Sequence, residues 1–158
     1  MTTKAQINNG IFSAARDDWE TPQELFDRMD RQFHFEMDVA ATAENTKCIN
    51  FYTREMDGLS LPWSRVNWCN PPYGAEILEW CRKADEEAQN GNLTVMLIPA
   101  RTDAGWFHEY CKKYRIEFIR GRIKFVGAKY NAPFPSMFVF FGKEFENDVY
   151  NTARKEEK

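Results

Sequence analysis

The stretch from Arg65 to Ile98 constrains the fold of this chain most. Arg65 to Cys69 reads as a short strand. After Gly74 the apolar positions Ile77, Trp80, Cys81, Ala84 and Ala88 trace one face of a helix, with Glu79 and Lys83 expected to pair at i, i+4 on the other. Asn90-Gly91 ends that helix, and Leu93 to Ile98 is a continuous apolar run of the length expected for a strand buried on both faces. A strand, a helix and a second buried strand in succession make a parallel α/β unit, which needs helices packed on its sheet.

The connection between that first strand and its helix is Asn70-Pro71-Pro72-Tyr73. An asparagine amide oxygen beside a backbone carbonyl can take both hydrogens of an NH2 group, and two prolines hold the carbonyl in a rigid, extended turn. Tyr73 adds an aromatic face for a ring. The set suits transfer of a methyl group from S-adenosylmethionine to the amino nitrogen of adenine or cytosine, whose lone pair is delocalised until its hydrogens are held out of plane.

Elsewhere, Thr21-Pro22-Gln23-Glu24 reads as a capping box opening a helix to about Gln32. Phe33 to Ala40 alternates as a strand, Cys48 to Tyr52 as another, and Asp57-Gly58 marks a turn. Thr102-Asp103 is placed to cap a helix carrying Trp106, Phe107, Tyr110 and Cys111. Arg115 to Ile119, Arg122 to Val126 and Ser136 to Gly142 read as three later strands, the last two antiparallel to each other.

With 158 residues, 43% apolar and 15% aromatic, the chain suits one domain with a real core. We expect an N-terminal extension at 1–16, a catalytic domain at 17–142 and a charged tail, frayed or disordered, at 143–158. No stretch approaches the roughly 18 apolar residues of a membrane span, and no signal-like start is present, so a soluble, intracellular protein is expected. Cys48, Cys69, Cys81 and Cys111 form no Cys-x-x-Cys pair, and only His34 and His108 could join them, so the thiols read as reduced and no metal is expected. The net charge of −3 hides a polarity: residues 17–60 hold 11 acids and 4 bases, whereas 99–142 hold 8 bases and 3 acids. An acidic half suits a cationic sulfonium cofactor and a basic half a phosphate backbone.

With Trp19-Glu20-Thr21-Pro22, Met37-Asp38-Val39-Ala40-Ala41, Asp57-Gly58-Leu59 and Asn70-Pro71-Pro72-Tyr73 in that order, the chain resembles the phage-type, Dam-like DNA adenine-N6 methyltransferases. Pro99-Ala100-Arg101-Thr102-Asp103, Gly121-Arg122-Ile123-Lys124-Phe125 and Ala132-Pro133-Phe134 extend the resemblance over about 17–142. It implies an α/β, Rossmann-like class I methyltransferase sheet, mostly parallel with one antiparallel strand near the C-terminal end. Asn70, Pro71, Pro72 and Tyr73 would be catalytic, acting on an adenine flipped out of DNA. Trp19, Thr21, Pro22, Asp38, Ala40 and Asp57 would bind S-adenosylmethionine, Asp38 through the cofactor's ammonium group and Asp57 through its adenine. Arg101, Arg122 and Lys124 would contact phosphates, and Phe125 the edge of the flipped base. Asp38-Val39-Ala40-Ala41-Thr42 stands where Phe-x-Gly-x-Gly is common, a departure from the pattern.

Each of these residues also has a plainer role: a strand-ending turn for Asn70, a helix cap for Asp38, a simple turn for Asp57, core packing for Phe125 and Trp19, a solvated face for Arg101, Arg122 and His108. The rival functions are methylation of RNA adenine, cytosine N4 or a glutamine amide, and a catalytically silent nucleic-acid-binding decoy. Oligomeric state is open.

Overall fold

A computed structural model of the chain describes residues 19–147. The expected N-terminal extension therefore lies outside the described residues, as do residues 17, 18 and 148–158. Five strands form one sheet: β1 (Met37–Asp38), β2 (Val66–Cys69), β3 (Leu93–Pro99), β4 (Arg115–Phe118) and β5 (Ser136–Phe141), in the spatial order β1-β2-β3-β5-β4. β1, β2 and β3 pair in parallel. β5 runs antiparallel to both β3 and β4, so β4 points the same way as the first three strands and β5 alone is reversed. The architecture is mixed α/β and parallel at one end.

Among the described residues, two α-helices cover the sheet. α1 (Gln23–Phe33) buries Phe26 and Met29, and Phe26 meets Trp68 of β2 edge-on at 5.2 Å while Phe33 approaches Phe140 of β5 at 5.6 Å. α2 (Ile77–Gln89) is the predicted crossover between β2 and β3; its Cys81 thiol lies 3.9 Å from the Met96 sulfur. Trp68 pairs with Val95 and Cys69 with Met96, so Trp68 and Met96 project from opposite faces of the sheet. α1 and α2 therefore sit on opposite faces. Gly91 ends α2 with φ of 91°, a value open to glycine. β5 is buried along its whole length between β3 and β4.

The capping box does not form. Pro22 stands at the helix N-cap with no side-chain capping bond, and its carbonyl accepts the N–H groups of Leu25 and Phe26. Burying Phe26 and Met29 contributes roughly 1.5–3 kcal/mol each, more than the ~1 kcal/mol of a cap, so the helix persists without it. Glu79 pairs with Arg82 rather than Lys83, and Lys83 pairs with the buried Glu87.

Several expected elements shrink. The strand from Phe33 reduces to Met37–Asp38, because α1 continues through Phe33 and His34 takes a left-handed conformation at its end. Cys48–Tyr52 contributes one bridge, Phe51 to Asp38. The helix after Thr102-Asp103 narrows to a π-helical turn, Phe107–Cys111. Arg122–Val126 is not a strand: Ile123 and Phe125 point inward and Arg122 and Lys124 outward, yet the backbone bonds go to Ala132 and Glu20. It is a strap, and β5 finds its antiparallel partners in β3 and β4 instead. Within the described part of the expected tail, Lys143–Phe145 forms a 3-10 turn and Phe145 lies 5.6 Å from Phe140.

Candidate active site

The parallel strands bring the singled-out residues to one edge of the sheet. Asp38 ends β1, Asn70 follows β2 and Arg101 follows β3. The loop from β4 to β5, which carries Arg122, Lys124 and Phe125, emerges at the same edge, since Pro99 pairs with Ser136 and Met137 with Phe118. Carboxyl ends of parallel strands are where open α/β sheets leave a crevice. Here that crevice is lined by Trp19, Glu20, Thr21, Asp38, Val39 and Ala40, with Asp57, Asn70, Pro72 and Trp80 among the other lining residues.

Asn70 is fixed by three partners. Its Nδ2 donates to the Trp19 carbonyl and, at 3.0 Å, to Thr21 Oγ1. Its Oδ1 accepts the Tyr73 hydroxyl at 2.7 Å, and the same hydroxyl lies 3.1 Å from the Leu97 carbonyl. A carbonyl only accepts, so the amide face toward Trp19 must be the NH2 and the face toward Tyr73 the oxygen. The arrangement leaves Asn70 as a hydrogen-bond acceptor on the Tyr73 side.

Tyr73 is only 8% exposed, and its ring meets Phe125 at 6.2 Å and Phe134 at 5.7 Å, both nearly perpendicular. Its face is covered in this conformation, and burial lifts its hydroxyl pKa well above the usual value. Trp19 joins the same cluster, edge-on to Phe125 and Phe134 at 5.2 Å each. Phe125, expected at a base edge, lies beneath the surface at 1% exposure and supports Trp19 and Tyr73. Pro71 is buried in the turn and Pro72 half-buried at the crevice. Arg101, Arg122 and Lys124 are exposed.

Asp38 is 3% exposed, with its carboxylate accepting the N–H groups of Ala40 at 3.3 Å and Lys47 at 3.0 Å. Burial raises its pKa to about 7, against those two donors and the Lys47 charge, which act in the opposite sense. Asp57 lines the same crevice, exposed, with a left-handed φ of 58°. The loop after Ala41 is closed by reciprocal bonds: Thr42 N–H to Asn45 Oδ1 at 2.7 Å and Asn45 N–H to Thr42 Oγ1 at 3.1 Å. In place of glycines, the turn uses polar side chains.

Sequence reasoning missed Lys47, which reaches Gln23 at 3.1 Å and Glu20 at 3.9 Å and places a cation at the wall. It also missed Glu20, Asn45, Arg54 and Glu76, whose types carry no signal until the loops are closed. Trp80 was legible only as a core residue of its helix. Among the described residues no group of three His, Cys, Asp or Glu side chains is placed to hold a metal ion, and no helix is long and apolar enough to cross a membrane. All four cysteines are free thiols, three of them buried.

A family model described as DNA N-6-adenine-methyltransferase (Dam) matches residues 9–157. The chain belongs to the Dam family. A protein of Escherichia phage T1 named DNA N-6-adenine-methyltransferase is 34% identical over 99 residues, 61% of this chain and 41% of that relative. One of the same name from Haemophilus phage HP1 is 30% identical over 117 residues, 70% of this chain and 67% of the relative. The chain thus spans about two fifths of the T1 protein's length and two thirds of the HP1 protein's. The Dam match includes both Asn70 and Asp38 and runs past the two ends of the described structure.

Proposed function

We propose that this chain is an S-adenosylmethionine-dependent methyltransferase of Rossmann-like class I fold, acting on the N6 amino group of adenine in DNA. One observation carries the reading: in a Dam-family chain, Asn70 stands at the carboxyl end of β2 with its NH2 held by Trp19 and Thr21 and its amide oxygen left as an acceptor, taken here by the Tyr73 hydroxyl. The adenine amino nitrogen is a poor nucleophile while its lone pair is shared with the ring. Asn70 Oδ1 and the Pro71 carbonyl would accept its two hydrogens and leave the lone pair free for in-line attack. No strong general base is needed, because positioning and acceptor dipoles supply the catalysis.

The crevice residues fit the cofactor. Of its charged lining residues, Glu20, Asp38, Asp57 and Glu76 are acids and Lys47 and Arg54 bases, beside apolar Trp19, Val39, Leu59 and Trp80. When bound, S-adenosylmethionine supplies an electrophilic methyl group on a sulfonium. Asp38 would hold the ammonium group, and Asp57 the adenine amine. Extruding the target base costs a few kcal/mol of stacking and pairing. Tyr73 would swing away from Asn70, giving up the acceptor to the substrate amine and its ring face to the base. Arg101, Arg122 and Lys124 would hold phosphates around the crevice.

The test is incubation with labelled S-adenosylmethionine and unmethylated DNA, followed by nucleoside analysis. Label in N6-methyladenine is expected, and Asn70→Ala should abolish it while leaving cofactor binding intact. Label on RNA, on cytosine N4 or on a glutamine amide would replace the reading with the corresponding rival. Cofactor and DNA binding without turnover would mark a silent domain.

A further inference from the structure

Thr21 makes no side-chain capping bond in α1, is 2% exposed at the crevice wall, and accepts one hydrogen bond, from the Asn70 amide. The Trp19 carbonyl takes one Nδ2 hydrogen and fixes which end of the amide is which. Once the Tyr73 hydroxyl gives up Oδ1 to the substrate, that single bond would leave the amide free to rock about its own side-chain torsion. Thr21 Oγ1, 3.0 Å away, takes the second hydrogen and defines the plane. Only then is Oδ1 aimed at the place now held by the Tyr73 hydroxyl.

We propose that Thr21 is a positioning residue for Asn70, holding the amide plane so that Oδ1 meets the substrate amine. The inference rests on the reading of Asn70 as the amine acceptor. Its chemistry asks only for an acceptor oxygen at this position. Serine preserves it and valine, of nearly the same shape, removes it. Two hydrogens on one nitrogen meet two acceptors, the Trp19 carbonyl and the buried Thr21 hydroxyl oxygen, so the amide is held on both of its donor sides.

Thr21→Val and Thr21→Ser in the full chain test this through three measurements. The expected result for Thr21→Val is a kcat lowered about tenfold with the S-adenosylmethionine Kd unchanged, the size of effect of one lost hydrogen bond. Nitrogen-15 spectra of the unliganded protein should show the Asn70 side-chain NH2 protons slow to exchange in the wild type. Those protons should be shifted and faster in Thr21→Val and normal again in Thr21→Ser, which also keeps its kcat. A Thr21→Val loss confined to cofactor Kd returns Thr21 to the cofactor and overturns the proposal. So does a normal kcat with unmoved Asn70 signals. If Thr21→Val does not fold, rapid exchange of the wild-type Asn70 NH2 protons overturns it equally. The spectra stand apart from turnover, so a wild-type chain that methylates nothing refutes the function without touching this test.

Discussion

Burial raises the pKa of the Asp38 carboxyl to about 7, which brings its change of charge close to neutral pH. Its ordinary value of 3.8 is raised on folding, so between about pH 4 and 7 the folded state holds a proton that the unfolded chain has lost. The cost of burying the charge is absent below that window and complete above it, so folded stability falls as pH rises through it. A cation seated beside the carboxylate reverses the preference. S-adenosylmethionine binding should therefore tighten about tenfold from pH 5.5 to 7, releasing a proton as it binds at the lower pH. Calorimetry in buffers of different ionisation enthalpy would show the proton, and Asp38→Asn should bind weakly with a flat pH profile. A wild-type affinity independent of pH would remove Asp38 from the ammonium site. The residue was legible in sequence as the end of the first strand. Lys47 was not, because its N–H reaches the carboxylate only when the loop closed by Thr42 and Asn45 folds back.

At the scale of elements, the βαβ unit from β2 to β3 was read nearly to the residue, since a continuous apolar run and a helical stripe each have one way to be buried. β1 is shorter than its alternation predicts because α1 runs on through Phe33, and the Arg122–Val126 strap lacks a ladder for a second reason. Alternation reports which side chains face inward, and it cannot report whether the backbone finds a ladder or, as at Val126 and Ala132, isolated partners in other loops. The short 3-10 turn Gly58–Ser60, read from Asp57-Gly58 as a simple turn, does more: a Cβ at Gly58 would lie 2.5 Å from the Val39 carbonyl, and the Gly58 carbonyl accepts the Trp63 indole N–H at 2.8 Å. The clash is with backbone, so Gly58→Ala must displace one wall of the crevice. We expect a loss of about 2–3 kcal/mol in denaturant unfolding together with weaker cofactor binding. Unchanged stability would mean that the loop yields freely and Gly58 is not required there.

Over the whole molecule the charge polarity seen in sequence becomes a geometry. The acidic half supplies Glu20, Asp38 and Asp57 to the crevice, and the basic half places Arg120, Arg122, Lys124 and Lys129, all exposed, on the connection between β4 and β5 at the same sheet edge. Parallel pairing explains why the two meet: β1 to β3 end there, and β5, the reversed strand, begins there. The strap ties them together, since Phe125 packs on Trp19 and Tyr73 while Arg122 and Lys124 face out. Phosphates bound to that rim would release counterions, whereas a merely solvated face would not. Arg122→Ala should then weaken DNA binding similarly for all sequences and make the slope of log K against log salt shallower by about one, with Asn70 chemistry at saturating DNA little affected. Titrations at several salt concentrations separate the outcomes. A lower affinity with an unaltered slope would place Arg122 off the phosphate path, and a lower kcat at saturating DNA would mean that the strap transmits its disturbance through Phe125 to Tyr73.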